Sequence, residues 1–170
     1  LVHPQNPFQN NYNFNQLVNA VPELEAHIVP GKFARKSVDF SNPEAVYLLN
    51  KSLLKWRFNV NWSLKKGHLC PAVPGRFDYL LHARDLLPEI EGRRARMLDV
   101  GAGASMIYPL LATAAFNWEC VCSEVDKEAI SYAKGLVRMN ANMMGTRIRR
   151  QEFKSQLLQG IIEKKETFDK

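Results

Sequence analysis

The chain has 170 residues, of which 46% are hydrophobic and 24% charged, and its formal net charge is +6. That length supports one domain with a real core, and the composition is that of a globular protein. No apolar run approaches the ~20 residues of a membrane span and no secretory leader is visible, so the expectation is a cytoplasmic protein that does not enter the membrane.

The cysteines are Cys70, Cys120 and Cys122, an odd count without a framework spacing, which suits a reducing compartment. Cys120 and Cys122 would share one face of a strand and read as buried structural thiols; two such residues close no metal site. Basic residues cluster at Arg93–Arg96 and at Arg147, Arg149 and Arg150. Polyanion binding is one reading of these clusters and a solvated basic face is the other.

Residues 1–16 are rich in Asn, Gln and Pro and cannot form a core alone. They predict an arm, mobile or laid against something, with Phe8, Tyr12 and Phe14 as candidate anchors. Leu17, Val18, Val21 and Leu24 predict a short helix disturbed at Pro22, Pro30-Gly31 a turn, and Val38–Phe40 a short extended piece. Asn42 as cap and Pro43 at the first helical position start a helix that Ala45, Val46, Leu48, Leu49, Leu53 and Leu54 carry to about Lys55. Phe58, Val60 and Trp62 alternate like a short strand. Pro71, Pro74 and Gly75 hold an irregular path, and a helix follows from Arg76 or Phe77 to Leu87, with Tyr79, Leu80, Ala83, Leu86 and Leu87 inward.

From Arg96 strands alternate with helices. Strands are predicted at about 96–100, 118–123 and 146–150, and helices at about 106–116 and 127–142. Leu157, Leu158, Ile161 and Ile162 predict another short helix. This alternation implies an α/β fold with right-handed crossovers and a parallel, Rossmann-like sheet. Only three strands are visible where an open sheet usually has more, so the chain reads as the front part of a domain whose sheet is incomplete on its C-terminal side. Residues 1–92 are expected to form an arm and a mostly helical extension, and 93–170 the first half of the Rossmann-like domain.

The stretch Arg96–Tyr108 carries the chemistry. A short apolar run ends in Gly101-Ala102-Gly103, and a helical pattern resumes at Ile107, with Pro109 suggesting a late or distorted helix start. Such a turn brings backbone N–H groups to a ligand at a helix N-terminus. The third glycine of a dinucleotide fingerprint would fall at Met106, which counts against NAD and FAD, and no phosphate-loop pattern is present. Glu124 follows Gly101 by 23 residues at the end of the next strand, where a carboxylate can accept from both ribose hydroxyls. Asp126 reads as the cap of the following helix. The turn and the acid together point to S-adenosylmethionine, held by Gly101, Gly103 and Glu124.

The runs L-D-V-G-A-G-A-S-M-I-Y-P-L-L, W-E-C-V-C-S-E-V-D and C-P-A-V-P-G-R-F-D-Y-L, with V-D-F-S-N-P-E-A-V-Y-L-L-N-K-S-L-L and the opening H-P-Q-N-P, resemble one family over nearly the whole chain. It is the bacterial 23S ribosomal RNA adenine-N6 methyltransferases, whose eukaryotic relatives methylate small nuclear RNA and messenger RNA hairpins. The resemblance implies a class I, S-adenosylmethionine-dependent fold acting on ribosomal RNA. It implies that Gly101 and Ser105 belong to the cofactor loop, that Glu124 is the ribose-binding acid, and that Arg76 reaches the cofactor. A guanidinium can pair bidentately with the methionine carboxylate; the competing reading of Arg76 is an ion pair with Asp78 or another local acid. A ligand contact is also expected around Gln151–Ser155.

Two departures stand out. The family's opening arm is usually basic, whereas no Lys or Arg precedes Lys32 here. The family's Asn-Pro-Pro-Phe motif, which holds the adenine amino group and stacks on the extruded base, falls beyond Phe168-Asp169-Lys170. The expectation is therefore an enzyme whose catalytic motif none of these residues supplies, and a chain that by itself is inactive or nearly so. Two alternatives stay open: a noncatalytic RNA-binding or regulatory module that uses Arg147, Arg149 and Arg150 on phosphate, and a protein or small-molecule methyltransferase on the same frame.

Overall fold

Asn42 and Pro43 begin the longest helix as the capping rules require, and the rest of the extension packs around it. The computed structural model describes residues 2–31, 33, 35–152 and 155–170. The arm leads into α1 (Phe14–Ala20) and a 3-10 turn at Pro22–His27, followed by a small antiparallel pair, β1 (Ile28–Pro30) and β2 (Lys36–Val38). α2 runs Pro43–Phe58, with the Asn42 side chain accepting from the Glu44 and Ala45 N–H groups. It stops at Asn59, which takes a left-handed φ of 52°. Val60 and Trp62 are buried, but in an irregular loop rather than the short strand expected there: between them the Asn61 N–H and carbonyl bond the Asn140 side-chain amide, not a neighbouring strand.

α3 spans Val73–Asp85, starting earlier than Arg76 and ending before Leu87. Its inward stripe is Val73, Phe77, Leu80, Leu81 and Ala83. Tyr79 and Leu86, expected inward, are 55% and 76% exposed. The arm lies against this helix. The Asn6 amide donates to the Pro74 carbonyl (3.2 Å) and the Asp78 carboxylate (2.8 Å), and His3 Nε2 meets Asp85 at 2.8 Å. Phe8 packs edge-on against Phe58 and Phe77.

The second part is a three-stranded sheet in the order β3 (Arg96–Val100), β4 (Glu119–Glu124), β5 (Arg147–Arg150), with both pairings parallel. α4 (Ile107–Phe116) and α5 (Lys127–Met139) connect the strands, and α5 gives way to a 3-10 turn at Ala141–Met143 rather than continuing to Asn142. Pro109 does not delay α4: it sits in the first turn, where its missing N–H would have had no partner. Residues 157–162 form turns, not the expected helix; Gly160 takes a φ of 76° and only Ile161 is buried. The segment 167–170 lies along the free edge of β3, the Asp169 N–H donating to the Arg96 carbonyl and the Leu98 N–H to the Lys170 carbonyl, both at 2.8 Å.

One buried cluster joins the extension to the sheet, running from Phe8, Leu17 and Leu54 through Phe77 and Leu110 to Leu136 and Met143. α4 is its centre: Leu110, Leu111 and Ala112 are wholly inaccessible, as expected of a helix apolar all round. Each such leucine contributes roughly 1.5–3 kcal/mol by burial.

Candidate functional site

The site lies at the carboxyl ends of β3 and β4, where ligands of open α/β sheets bind. The chain leaves β3 through Gly101 (φ 76°) and Gly103 (φ 64°), conformations that glycine takes without steric cost. The space beside both is open, with no heavy atom within 4 Å of where a Cβ would stand. The N–H groups of Gly101 and Ala102 donate to the Ser123 carbonyl at 2.9 and 3.1 Å, tying the turn to the end of β4. From the other side the Trp62 indole N–H donates to the Ser105 carbonyl at 3.0 Å, so the extension props up the turn. Met106 then caps α4 with a positive φ of 50° while fully buried, a conformation that only tight packing sustains.

Glu124 closes the turn across the strand ends. Its Oε2 accepts from the Gly103 N–H at 2.9 Å, and its Oε1 from the Val125 and Asp126 N–H groups at 2.7 and 3.0 Å. Three backbone donors thus fix the carboxylate, and its remaining lone pairs are available to a diol. Asp126 caps α5 as expected, accepting from Glu128 and Ala129.

Arg76 projects from the exposed face of α3. Its Nη1 donates to the Tyr108 hydroxyl at 2.9 Å, and the guanidinium carbon lies 5.6 Å from the Tyr108 ring centre. The competing ion pair with Asp78 is not formed: Asp78 accepts from the His3 N–H and the Asn6 amide. Tyr79 meets Tyr108 edge-on at 5.4 Å, and both border a cavity of about 280 Å³ that also includes Asp99. Burial, with a smaller push from the Glu124 charge, raises the Asp99 carboxyl to about 6.

Asp99, Tyr108 and Trp62 border the candidate site in the structure and were not singled out from the sequence. An acid inside an apolar strand, two positions before the glycine turn, was a usable signal for Asp99. Nothing in the local pattern separates Tyr108 from a core aromatic, and Trp62 reaches the turn across 43 residues.

The basic cluster divides. The Arg149 guanidinium is held by Glu163 (3.0 Å), Glu166 and the Ile161 carbonyl, whereas Arg147 and Arg150 are exposed. In the segment expected to touch ligand, the Gln151 N–H donates to the Glu124 carbonyl at 2.9 Å; Phe153 and Lys154 lie outside the described residues. Cys120 and Cys122 are buried thiols, and burial pushes Cys120 up to about 12.

A parallel sheet with a glycine turn after one strand and an anchored acid at the end of the next defines the Rossmann-like class I methyltransferase fold. The chain belongs to the RNA methyltransferase family, whose profile matches residues 1–170. It is similar to the ribosomal RNA large subunit methyltransferase F of Psychrobacter sp. (strain PRwf-1), 36% identical over 99% of this chain and 53% of that protein. The corresponding protein of Photobacterium profundum is 39% identical over 99% of the chain and 52% of its own length. The chain therefore spans about half the length of the curated relatives it matches. Among solved structures it resembles the N-terminal domain of human METTL16 in complex with SAH, with a TM-score of 0.86 and 28% identity over 98% of this chain and 65% of that one. It also resembles the METTL16 catalytic domain in complex with the MAT2A 3′UTR hairpin 1, with a TM-score of 0.78 and 30% identity over 90% of this chain and 52% of that one.

Proposed function

We propose that the protein transfers a methyl group from S-adenosylmethionine to the N6 of an adenine in 23S ribosomal RNA, acting in the cytoplasm. The observation that carries this reading is Glu124: its carboxylate, at the end of β4, is fixed by three backbone donors beside the Gly101–Gly103 turn. The names of the curated relatives support ribosomal RNA as substrate, and the METTL16 complex with SAH supports the cofactor.

When bound, the cofactor supplies an electrophilic methyl group on its sulfonium. The chain's own residues bind and orient it. Glu124 accepts from the ribose hydroxyls, Gly101, Gly103 and Ser105 let the backbone approach closely, and Arg76 pairs with the methionine carboxylate. Asp99, which lines the same cavity as Tyr108 and Lys170, would accept from the ammonium group. In-line transfer needs no acid or base from this half of the site, so positioning is the contribution these residues make. Arg147 and Arg150 contact RNA phosphate, and Arg149 holds its own fold instead.

The test is incubation of the full-length protein with unmodified 23S ribosomal RNA and methyl-labelled S-adenosylmethionine, followed by nucleoside mass spectrometry. The expected product is N6-methyladenosine at one position. Label on another nucleoside, on protein, or on nothing overturns the reading.

A further inference from the structure

We propose that Tyr108 is a positioning residue for the amino-acid end of the cofactor, orienting the Arg76 guanidinium and offering its own hydroxyl proton beside it. The proposal rests on the reading of Arg76 as the partner of the methionine carboxylate. Four observations carry it. The Tyr108 oxygen accepts from Arg76 Nη1 at 2.9 Å, and the guanidinium sits 5.6 Å from the ring centre, so one side chain fixes both the direction and the height of the cation. The hydroxyl proton is left for a further acceptor, since among the described residues the Tyr108 oxygen has no bond other than that to Arg76. Tyr108 is the second residue of α4, directly after the glycine turn, where the helix N-terminus favours an anion. The ring is itself steadied by Tyr79, edge-on at 5.4 Å, and borders the cavity that contains Asp99.

The physical logic is preorganisation. An exposed arginine otherwise samples many rotamers, and ordering it on binding costs free energy. Holding the guanidinium by hydrogen bond and ring face removes that cost before the ligand arrives. A phenol that accepts from a cation is also a stronger donor through its own proton. The remaining N–H groups of Arg76 and the Tyr108 O–H then make a mixed fork for one carboxylate.

The experiment measures binding of S-adenosylhomocysteine and of 5′-methylthioadenosine to the full-length protein by calorimetry. The second ligand keeps the adenosine and thioether but lacks the amino-acid end. Tyr108→Phe keeps the ring and removes the hydroxyl. It is expected to weaken S-adenosylhomocysteine binding by about 3- to 10-fold while leaving 5′-methylthioadenosine unchanged. Retained binding of the second ligand shows that the variant is folded. Arg76→Ala is expected to show the same selectivity, and the double variant to lose less than the product of the two single losses. If Arg76→Ala is selective and Tyr108→Phe is not, the role of Tyr108 falls and that of Arg76 stands. Equal weakening of both ligands by Tyr108→Phe also overturns the proposal. If Arg76→Ala leaves S-adenosylhomocysteine binding unchanged, the reading of Arg76 falls and takes the proposal with it.

Discussion

At the scale of single residues, Asp99 has the most perturbed acid–base behaviour in the site. Burial holds its carboxyl at about 6, so in the folded protein its charged form is disfavoured. The part of folding stability that depends on its neutral form is complete below the unbound carboxyl value of 3.8 and is lost as pH rises through about 6. A cationic ammonium bound beside it would reverse that preference, and ligand binding would then drive a proton off. Affinity for S-adenosylhomocysteine is therefore expected to fall as pH is lowered from 7 to 5, and Asp99→Asn to flatten the dependence. Calorimetric titrations across that range check it; an equal slope in both proteins would contradict the assignment of Asp99. Glu124 was legible from sequence because strand, turn and acid are local features at a fixed separation. Tyr108 was not, because its meaning depends on Arg76, which arrives from a different helix.

At the scale of elements, the arm and α3 act together. Asp78, two residues from Arg76, is held by the Asn6 amide and the His3 N–H, so the arm fixes the turn of α3 that presents the arginine. Asn6→Asp would set one carboxylate against another at 2.8 Å and remove the donor to Pro74. The expected cost is about 1–3 kcal/mol of folding stability, read by denaturant unfolding; an unchanged midpoint would show that the arm contributes nothing. Residues 3–8 spell no secondary structure, and their partner lies 72 residues away, so local pattern left the arm undetermined. The inward face of α3 was legible in part: Leu80 and Ala83 are buried as expected, whereas Tyr79 and Leu86 are exposed, and Val73, Phe77 and Leu81 complete the buried face. The sheet strands were readable to within a residue: β3 and β4 are short, largely apolar runs bounded by a turn or a cap, and β5, with only Ile148 apolar, was legible from its place after α5 and the Gly145 turn. The helix expected over 157–162 failed because Gly160 adopts a left-handed conformation that periodicity does not register.

At the scale of the molecule, ion pairs attach the segment 163–170 to the sheet. The Glu166 side chain is held by Arg149 and by Arg96 (2.7 Å), and Asp169 by Arg93 (2.6 and 2.7 Å) and the Arg96 N–H (2.9 Å). These cations and donors lower both carboxyls to about 2. Their contribution is complete above the ordinary carboxylate values of 4.5 and 3.8 and is lost as pH falls toward 2. Acid unfolding is expected in that window, and Glu166→Gln should reduce its steepness; an identical acid transition in the variant would refute the linkage. The same network engages the Arg149 guanidinium in a contact within the fold. Extension and sheet meet at the glycine turn, where Trp62 holds Ser105 from one side and Glu124 holds Gly103 from the other. That junction is the centre of the account, and Glu124→Gln in the full-length protein tests it most directly. The variant loses the charge that strengthens hydrogen bonds from a ribose, and its single amide oxygen can accept either from the Gly103 N–H or from the Val125 and Asp126 N–H groups, not from both sides. Calorimetry with S-adenosylhomocysteine should show binding weakened by about tenfold or more, as loss of a charge-assisted hydrogen bond of roughly 1.5–3 kcal/mol requires; unchanged affinity in a folded variant would contradict the account.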